Sequence, residues 1–449
     1  MMQRLHVFPA YPALCCGGAG ALLLLLTPIK ALGLAQGSGL PVGLCLVALA
    51  LLAAGLLLGY EKDFSAVLLC LLPIGLAFFL RVFCLDHMTY DYMDFLSHWA
   101  AFFRENGGFA ALRQPIGDYN VPYLYFLAAI SYLKIPDLYA IKLFSIFFDV
   151  ILAWGGLRLA RLFCPKGSRM PLAIFCGLLL LPTVLLNGAL WAQCDGLYGA
   201  LVLHALACGL GQRPKTSVIL LALAFSFKLQ TIFILPFWCI LWMVGRVRFR
   251  DLLLFPATLF AAILPALALG RPFGSILGVY FTQTSEYAGA LTLNAPSLFT
   301  FVPSGMEVNV KLFSLLGILA AGCLVLALLG LSFARRKQMT GARLLTAAVI
   351  LAVGIPLLLP SMHERYFFLA DVITLVWAGT NLRRLPQAIA TELASLSAYS
   401  AYLRLQFTLP LKIGPYYFVM GIEALLLLGV LISAWYLWCR NAEHPIAPS

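Results

Sequence analysis

The chain has 449 residues, of which 62% are hydrophobic and 11% charged, with a mean hydropathy of +0.96. Soluble domains carry roughly a quarter charged residues, so composition excludes a soluble globular protein and leaves a polytopic helical membrane protein, whose apolar runs recur from end to end. The net charge of +12 does not indicate nucleic acid binding, because the basic residues fall in short clusters between apolar runs, as the positive-inside rule distributes them.

In chain order, Arg4 precedes an apolar run that starts near Leu14. This resembles a signal peptide, but a second run follows almost at once, so a retained first span is expected. The expected spans lie near 12–32, 41–60, 64–84, 138–160, 170–190, 195–211, 216–230, 232–245, 251–270, 309–333, 341–360, 364–382, 387–407 and 418–438. Together they predict an all-α bundle of about 12–14 transmembrane helices in a single multi-span domain, with no polar stretch long enough for a soluble domain of ~100 residues. The runs 195–211 and 216–230 are short, and Glu392 and Arg404 interrupt 387–407. The 12 cysteines lack metal-ligand spacing, and those inside apolar runs read as small fillers.

Five basic clusters set an orientation. They are Arg158 to Arg169, Arg213 with Lys215, Arg246 to Arg250, Arg335 to Lys337, and Arg383 with Arg384. Placing all five in the cytoplasm puts both termini there. It leaves loops 85–137, 191–194, 271–308 and 361–363 outside a cell membrane. The segment 120–135 tests this scheme, because a crossing there would invert the parity. It is short for a span, opens on Pro122 and carries Tyr123, Tyr125 and Tyr132, so a helix lying on the outer surface is expected, with a short true span as the alternative. The loop 271–308 carries Arg271, Glu286 and Asn294.

Four polar clusters then fall on the outer face, where ionisable groups at a bilayer edge mark sites of function. In the first, helical spacing would put Asp91, Asp94 and His98 on one face. Their carboxylates suit a general base, a divalent cation near a phosphate, or a solvated helix cap. The second, Asn187 to Tyr198, holds Trp191, Gln193 and Asp195. An indole and an amide together suit a sugar, and Asp195 either joins them or caps the next helix. In the third, Lys228 with Gln230 near the end of an apolar run is a phosphate-binding lysine or a snorkelling one. The fourth is His363-Glu364-Arg365, in which Arg365 suits a phosphate, His363 can donate to one or move a proton, and Glu364 orients either. Lys142 and Asp149, seven residues apart in one span, are expected to form a structural pair, and His204 a satisfied interior histidine.

Six strings in this order resemble the GT-C superfamily of polyprenyl-phosphate-sugar-dependent glycosyltransferases, and are similar to bacterial relatives of the mannosyltransferase that adds the second mannose of the GPI anchor. They are Asp91-Tyr-Met-Asp-Phe-Leu-Ser-His-Trp99, Asn106-Gly-Gly-Phe-Ala-Ala-Leu112, Asp118-Tyr-Asn-Val-Pro-Tyr-Leu-Tyr125, Trp191-Ala-Gln-Cys-Asp195, Lys228-Leu-Gln230 and Met362-His-Glu-Arg-Tyr366. The resemblance covers about 85–370, leaving the spans of 1–63 and 383–449 outside it. It implies a bundle whose large first external loop carries juxtamembrane helices. It also implies transfer of a sugar, mannose favoured, from a polyprenyl-phosphate donor to a glycan, glycolipid or protein acceptor on the extracytoplasmic side. By motif position it implies Asp91 as general base, with Asp94 second, and Lys228, His363 and Arg365 around the lipid phosphate. Trp191, Gln193, Asp195, Gln230 and Glu364 would then contact sugar or acceptor. Several family members carry Asp-x-Asp or Glu-Asp pairs where this chain has Asp91-x-x-Asp94. That departure leaves open which carboxylate is the base and whether a divalent metal takes part. The rival expectation is a transporter or flippase of lipid-linked saccharides, which calls for a polar track at mid-span.

Overall fold

The computed structural model describes residues 10–285, 289–303, 306–403 and 413–440. Glu286 and Arg404 lie outside the described residues. The fold is all-α: 78% of the described residues are helical and almost none are in strands. Eight helices among the described residues are long and apolar enough to cross a membrane: Tyr11–Ala31, Gly39–Tyr60, Phe64–Val82, Asp137–Arg161, Phe249–Ala268, Val310–Ala334, Gly341–Leu358 and Phe418–Arg440. Met170–Leu180 and Pro182–Leu190, bent by 47° at the break before Pro182, make a ninth if they form one span. This is a multi-pass membrane protein.

Several expected runs are shorter than a full span. The run 216–230 stops at Phe227, because Lys228 adopts an extended backbone (φ −147°, ψ 127°) and the chain resumes as the 3₁₀ helix Leu229–Ile234. The segment at 120–135 forms only the ten-residue helix Val121–Ile130. At 1.5 Å per residue it is half as long as a ~30 Å hydrocarbon core is thick. The run 387–407 is the helix Leu385–Leu403, whose buried face carries Thr391, Ser395 and Ser400.

The chain folds as two compact units, Met1–Gly117 with Tyr123–Arg158 and Pro165–Ala200, and Asp118–Pro122 with Leu159–Cys164 and Leu201–Ser449. In the first, helices Ala10–Ala31 and Phe64–Val82 meet backbone to backbone. A Cβ on Gly75 would lie 2.5 Å from the Gly20 carbonyl oxygen, and one on Gly20 would lie 2.2 Å from that of Leu71. Small residues give apolar helices this close approach, which lipid-like surroundings reward through packing alone.

Charge inside this unit is organised differently from the expected Lys142–Asp149 pair. Asp149 pairs with Arg81, whose Nη2 lies 2.8 Å from Asp149 Oδ2, and both residues are buried. Arg81 Nη1 also donates to the carbonyls of Ala77 and Leu179 at 3.1 and 3.0 Å. Lys142 instead donates to three carbonyls, those of Cys84, Leu85 and His87, at 2.7, 2.9 and 2.6 Å. These oxygens belong to the turn over residues 84–87 that follows the helix Phe64–Val82. A buried ammonium needs several acceptors, and this turn supplies three where one carboxylate seven residues away does not.

In the second unit the helix Gly341–Leu358 is buried along nearly its whole length. Trp377 of the helix Phe368–Thr380 donates to Thr346 Oγ1 at 2.9 Å. Around this axis, Val310–Ala334 and Phe249–Ala268 keep apolar faces turned outward, as helices that meet lipid do. Arg81 in the first unit and Asp371 and Glu423 in the second are also buried within helices.

Candidate functional site

In the first unit a polar hairpin carries the site. The bent pair ends in a π-helical turn, Leu186–Leu190, and the chain then reverses through Ala192, which holds a left-handed φ of 66° before Asp195 opens the helix Asp195–Leu210. Few non-glycine residues adopt that conformation, and its strain is of order 1–3 kcal/mol, borne only where surrounding contacts dictate it. Here they do. Trp191 N donates to Leu186 O and Gln193 N to Asn187 O, both at 2.9 Å. The Trp191 carbonyl accepts from Thr89 Oγ1 at 3.0 Å and the Gln193 carbonyl from Ser145 Oγ at 2.8 Å. Asn187 Nδ2 donates to Asp195 Oδ2 at 2.7 Å, and Asp195 N donates back to Asn187 Oδ1 at 3.2 Å. A Cβ at Gly196 would lie 2.7 Å from Asp149 Oδ1, so glycine lets the hairpin seat directly on the helix that bears the Arg81–Asp149 pair.

The hairpin presents two donors to one acceptor. Trp191 Nε1 lies 3.0 Å and Gln193 Nε2 2.6 Å from Asp91 Oδ2. Asp91 stands at the start of a second π-helical turn, Tyr92–Leu96, which runs into the helix Ser97–Glu105. These are the two π-helical turns among the described residues, and single π turns gather at functional positions. Asp91 is half-buried while Asp94 and His98 are exposed, and His98 Nδ1 meets the backbone carbonyl of Asp94, not its carboxylate. The shared face expected for Asp91, Asp94 and His98 therefore does not form a three-residue cluster, and Asp91 alone joins the hairpin. The indole of Trp191 is fully buried and Gln193 is 2% exposed, which leaves the ring no open face for a sugar. Asp195 is closed against Asn187.

Around this set, the loop residues pack as short helices. Arg104 pairs with Asp137 and donates to the carbonyls of Ser131 and Leu133 at 3.3 and 3.1 Å, tying Ser97–Glu105 to the turn before the next span. The imidazole of His87 is held below its ordinary 6.5 by burial and by the Lys142 ammonium. The Tyr92 phenol is pushed up by burial and by the Asp137 charge.

In the second unit His363 stands on a small parallel ladder. β1 (Thr292–Leu293) pairs with β2 (Met362–His363), Leu293 opposite His363. Ser361 N donates to Leu291 O at 2.9 Å and Ser361 Oγ to Ala290 O at 2.8 Å. Asn294 and Ser361 both hold left-handed φ, 60° and 58°. The loop 271–308, opaque in the sequence, thus fastens onto the His363 motif. Glu364 is buried and pairs with Arg365 at 3.4 Å. Tyr366 links the two basic segments, its ring 5.2 Å from His363 and 6.1 Å from Phe233 of the Leu229–Ile234 turn. Lys228, buried, and Gln230, half-buried, flank the start of that turn. An apolar groove of about 380 Å³ adjoins, lined by Ile232, Phe233, Ile318, Leu326, Ile355 and Leu359.

Among the described residues no three His, Cys, Asp or Glu side chains come together as metal ligands. Asp91 Oδ2 accepts two N–H donors. Sequence reasoning missed Thr89, Ser145 and Arg81, whose partners lie 48 to 102 residues away and have no local pattern. No family model matches the chain, and no curated protein matches it.

Proposed function

We propose that the chain is a GT-C-like membrane glycosyltransferase, a bundle of about 12–14 spans in the cell membrane. It would move a hexose, mannose favoured, from a polyprenyl-phosphate donor to an acceptor hydroxyl on the extracytoplasmic side. The observation that carries this is Asp91, a carboxylate in a loop region, held on one oxygen by two side-chain donors from a strained hairpin. A general base needs such fixed placement within reach of the proton it removes. The second support is the groove. Its wall residue Phe233 meets Tyr366, next to Arg365, so apolar lining and phosphate-binding chemistry adjoin as a lipid phosphate requires.

In this mechanism the isoprenoid tail lies along the groove. Lys228, His363 and Arg365 stabilise the leaving phosphate as charge grows on it, while Gln230 contacts the sugar and the buried Glu364, expected from the sequence to touch sugar or acceptor, positions Arg365 instead. Asp91 takes the proton of the acceptor hydroxyl as its oxygen attacks the anomeric carbon. The bond to phosphate breaks in the same displacement, so configuration inverts. The phosphate departs as an anion and needs no general acid. In the first unit the buried Arg81, Asp149 and Lys142 are committed to fixed partners, which supports transfer over transport there.

The test uses full-length protein in nanodiscs with labelled undecaprenyl-phosphate mannose and membrane glycolipid acceptors. Transfer of label is expected, together with reaction of an impermeant maleimide from outside the cell at Asp94→Cys and Ser361→Cys. Donor uptake across vesicles without transfer, or labelling of the two positions from opposite sides, would sink the proposal.

A further inference from the structure

We infer that Trp191 and Gln193 are positioning residues for Asp91, and that they touch neither sugar nor acceptor. The functional meaning of this inference rests on the transferase proposal, but the contact itself can be read without it. Three observations carry it. First, both donors converge on the same oxygen, Asp91 Oδ2, at 3.0 and 2.6 Å. Two N–H groups on one oxygen fix the plane of a carboxylate, which otherwise turns freely about its last torsion. Second, both donors are buried, Trp191 fully and Gln193 to 2% exposure, so neither offers a surface on which a sugar ring stacks or a hydroxyl docks.

Third, the donors are themselves held from beneath. Their two carbonyls accept from Thr89 Oγ1 and Ser145 Oγ, and Ala192 between them is kept left-handed. Thr89 belongs to the segment that leads into Asp91. That segment's carbonyls at Cys84, Leu85 and His87 are gathered by Lys142. Ser145 and Lys142 lie three residues apart on one helix, so a single helix pins the hairpin through one residue and the Asp91 segment through the other. Carboxylate and donors therefore share a platform, and the distance between them does not depend on the flexible ends of the loop. Such support separates a placed group from one that merely happens to be nearby.

Two measurements test this. The chain has eight tryptophans, hence eight indole N–H resonances in a spectrum of nitrogen-labelled protein, and Trp191→Phe identifies one of them. An indole N–H bound to a carboxylate resonates downfield. Asp91→Asn is expected to move the Trp191 signal upfield and leave the other seven in place, Asp94→Asn to leave all eight in place, and Gln193→Leu to move the Trp191 signal by a smaller amount. A Trp191 resonance indifferent to Asp91→Asn overturns the inference whatever the protein's activity.

The second measurement is transfer from undecaprenyl-phosphate mannose. Gln193→Leu and Trp191→Phe are expected to lower kcat about 10- to 100-fold with KM nearly unchanged, the loss typical of a misplaced reacting group. In the Asp91→Asn background neither should add a further loss, because all three act as one unit. A rise in KM at constant kcat means that these side chains bind substrate, and a loss that adds to that of Asp91→Asn means that they act elsewhere. Either outcome overturns the inference. Absence of transfer in the unmodified protein, with the indole shift intact, fails the transferase proposal and leaves the contact standing.

Discussion

The Asp91 site and the His363 site are held in opposite ways. Asp91 is fixed by side chains: two donors reach its carboxylate from 100 and 102 residues away. His363 is fixed by backbone, through a two-residue parallel ladder and the Ser361 bonds to the loop at 290–291. Beside His363, Glu364 and Arg365 meet at 3.4 Å. The difference teaches what each chemistry demands. A base acts at one atom and tolerates little displacement, whereas cations around a phosphate act through a field that survives small movements. Strain is spent at both places. Of the four non-glycine residues with left-handed φ among those described, Ala192 and Ser361 lie within two residues of a site side chain, and Asn294 bridges to His363.

The largest expected effect separates the two neighbouring carboxylates of the first site. Asp91→Asn should lower transfer by about 10²- to 10⁴-fold, the range for loss of a general base, while the exposed Asp94→Asn keeps it nearly whole. Equal losses in a membrane transfer assay would remove the distinction between a held carboxylate and a solvated one. Next comes the support below the hairpin. Asp149→Leu leaves the Arg81 guanidinium buried without its carboxylate and should cost about 3–5 kcal/mol, read as a lowered midpoint in thermal unfolding of detergent-purified protein. Arg81→Met combined with Asp149→Leu should recover most of that loss. If the double variant is as unstable as the single, the pair is not what sets the cost.

On the second site, Arg365→Lys keeps the charge but loses the planar fork, and about a tenfold fall in kcat/KM is expected. A loss as deep as that of Asp91→Asn would erase the proposed contrast between a fixed group and an adaptable one. The smallest effect concerns acidity. Burial holds the His87 imidazole below 6.5, so the unfolded chain binds a proton there more readily than the folded one. His87 therefore supports the fold above pH 6.5 and weakens it as pH falls through the lowered folded value. His87→Gln should flatten this acid-side decline in the unfolding midpoint, and an unchanged decline would assign it to other groups.

Much of the architecture was legible in the sequence because it follows from apolar length. The runs that became Gly39–Tyr60, Asp137–Arg161, Val310–Ala334 and Phe418–Arg440 are long and nearly free of charge, and lipid leaves such a segment little choice but a helix. The ten-residue limit on Val121–Ile130 was also foreshadowed, by Pro122 and the tyrosines. The polar clusters were visible for the same reason, as interruptions. What each cluster member does was not visible. Asp91 and Asp94 look alike in sequence, and only a hairpin folded back from a hundred residues away tells them apart. Lys142 and Asp149 share a helix face, yet each found a better partner outside its own helix, because a buried ammonium needs several acceptors and a buried carboxylate needs a fork.

Sequence alone determined that this is a multi-pass α-helical membrane protein with ionisable groups in a few short segments, since hydrophobic length and charge placement are local properties that no packing can reverse. Only the tertiary structure decided that Asp91 is held by Trp191 and Gln193, that Arg81 answers Asp149, and that the loop near 292 ties down His363. Those contacts depend on which backbones approach closely enough for single atoms to meet, and no local pattern of residues encodes that distance.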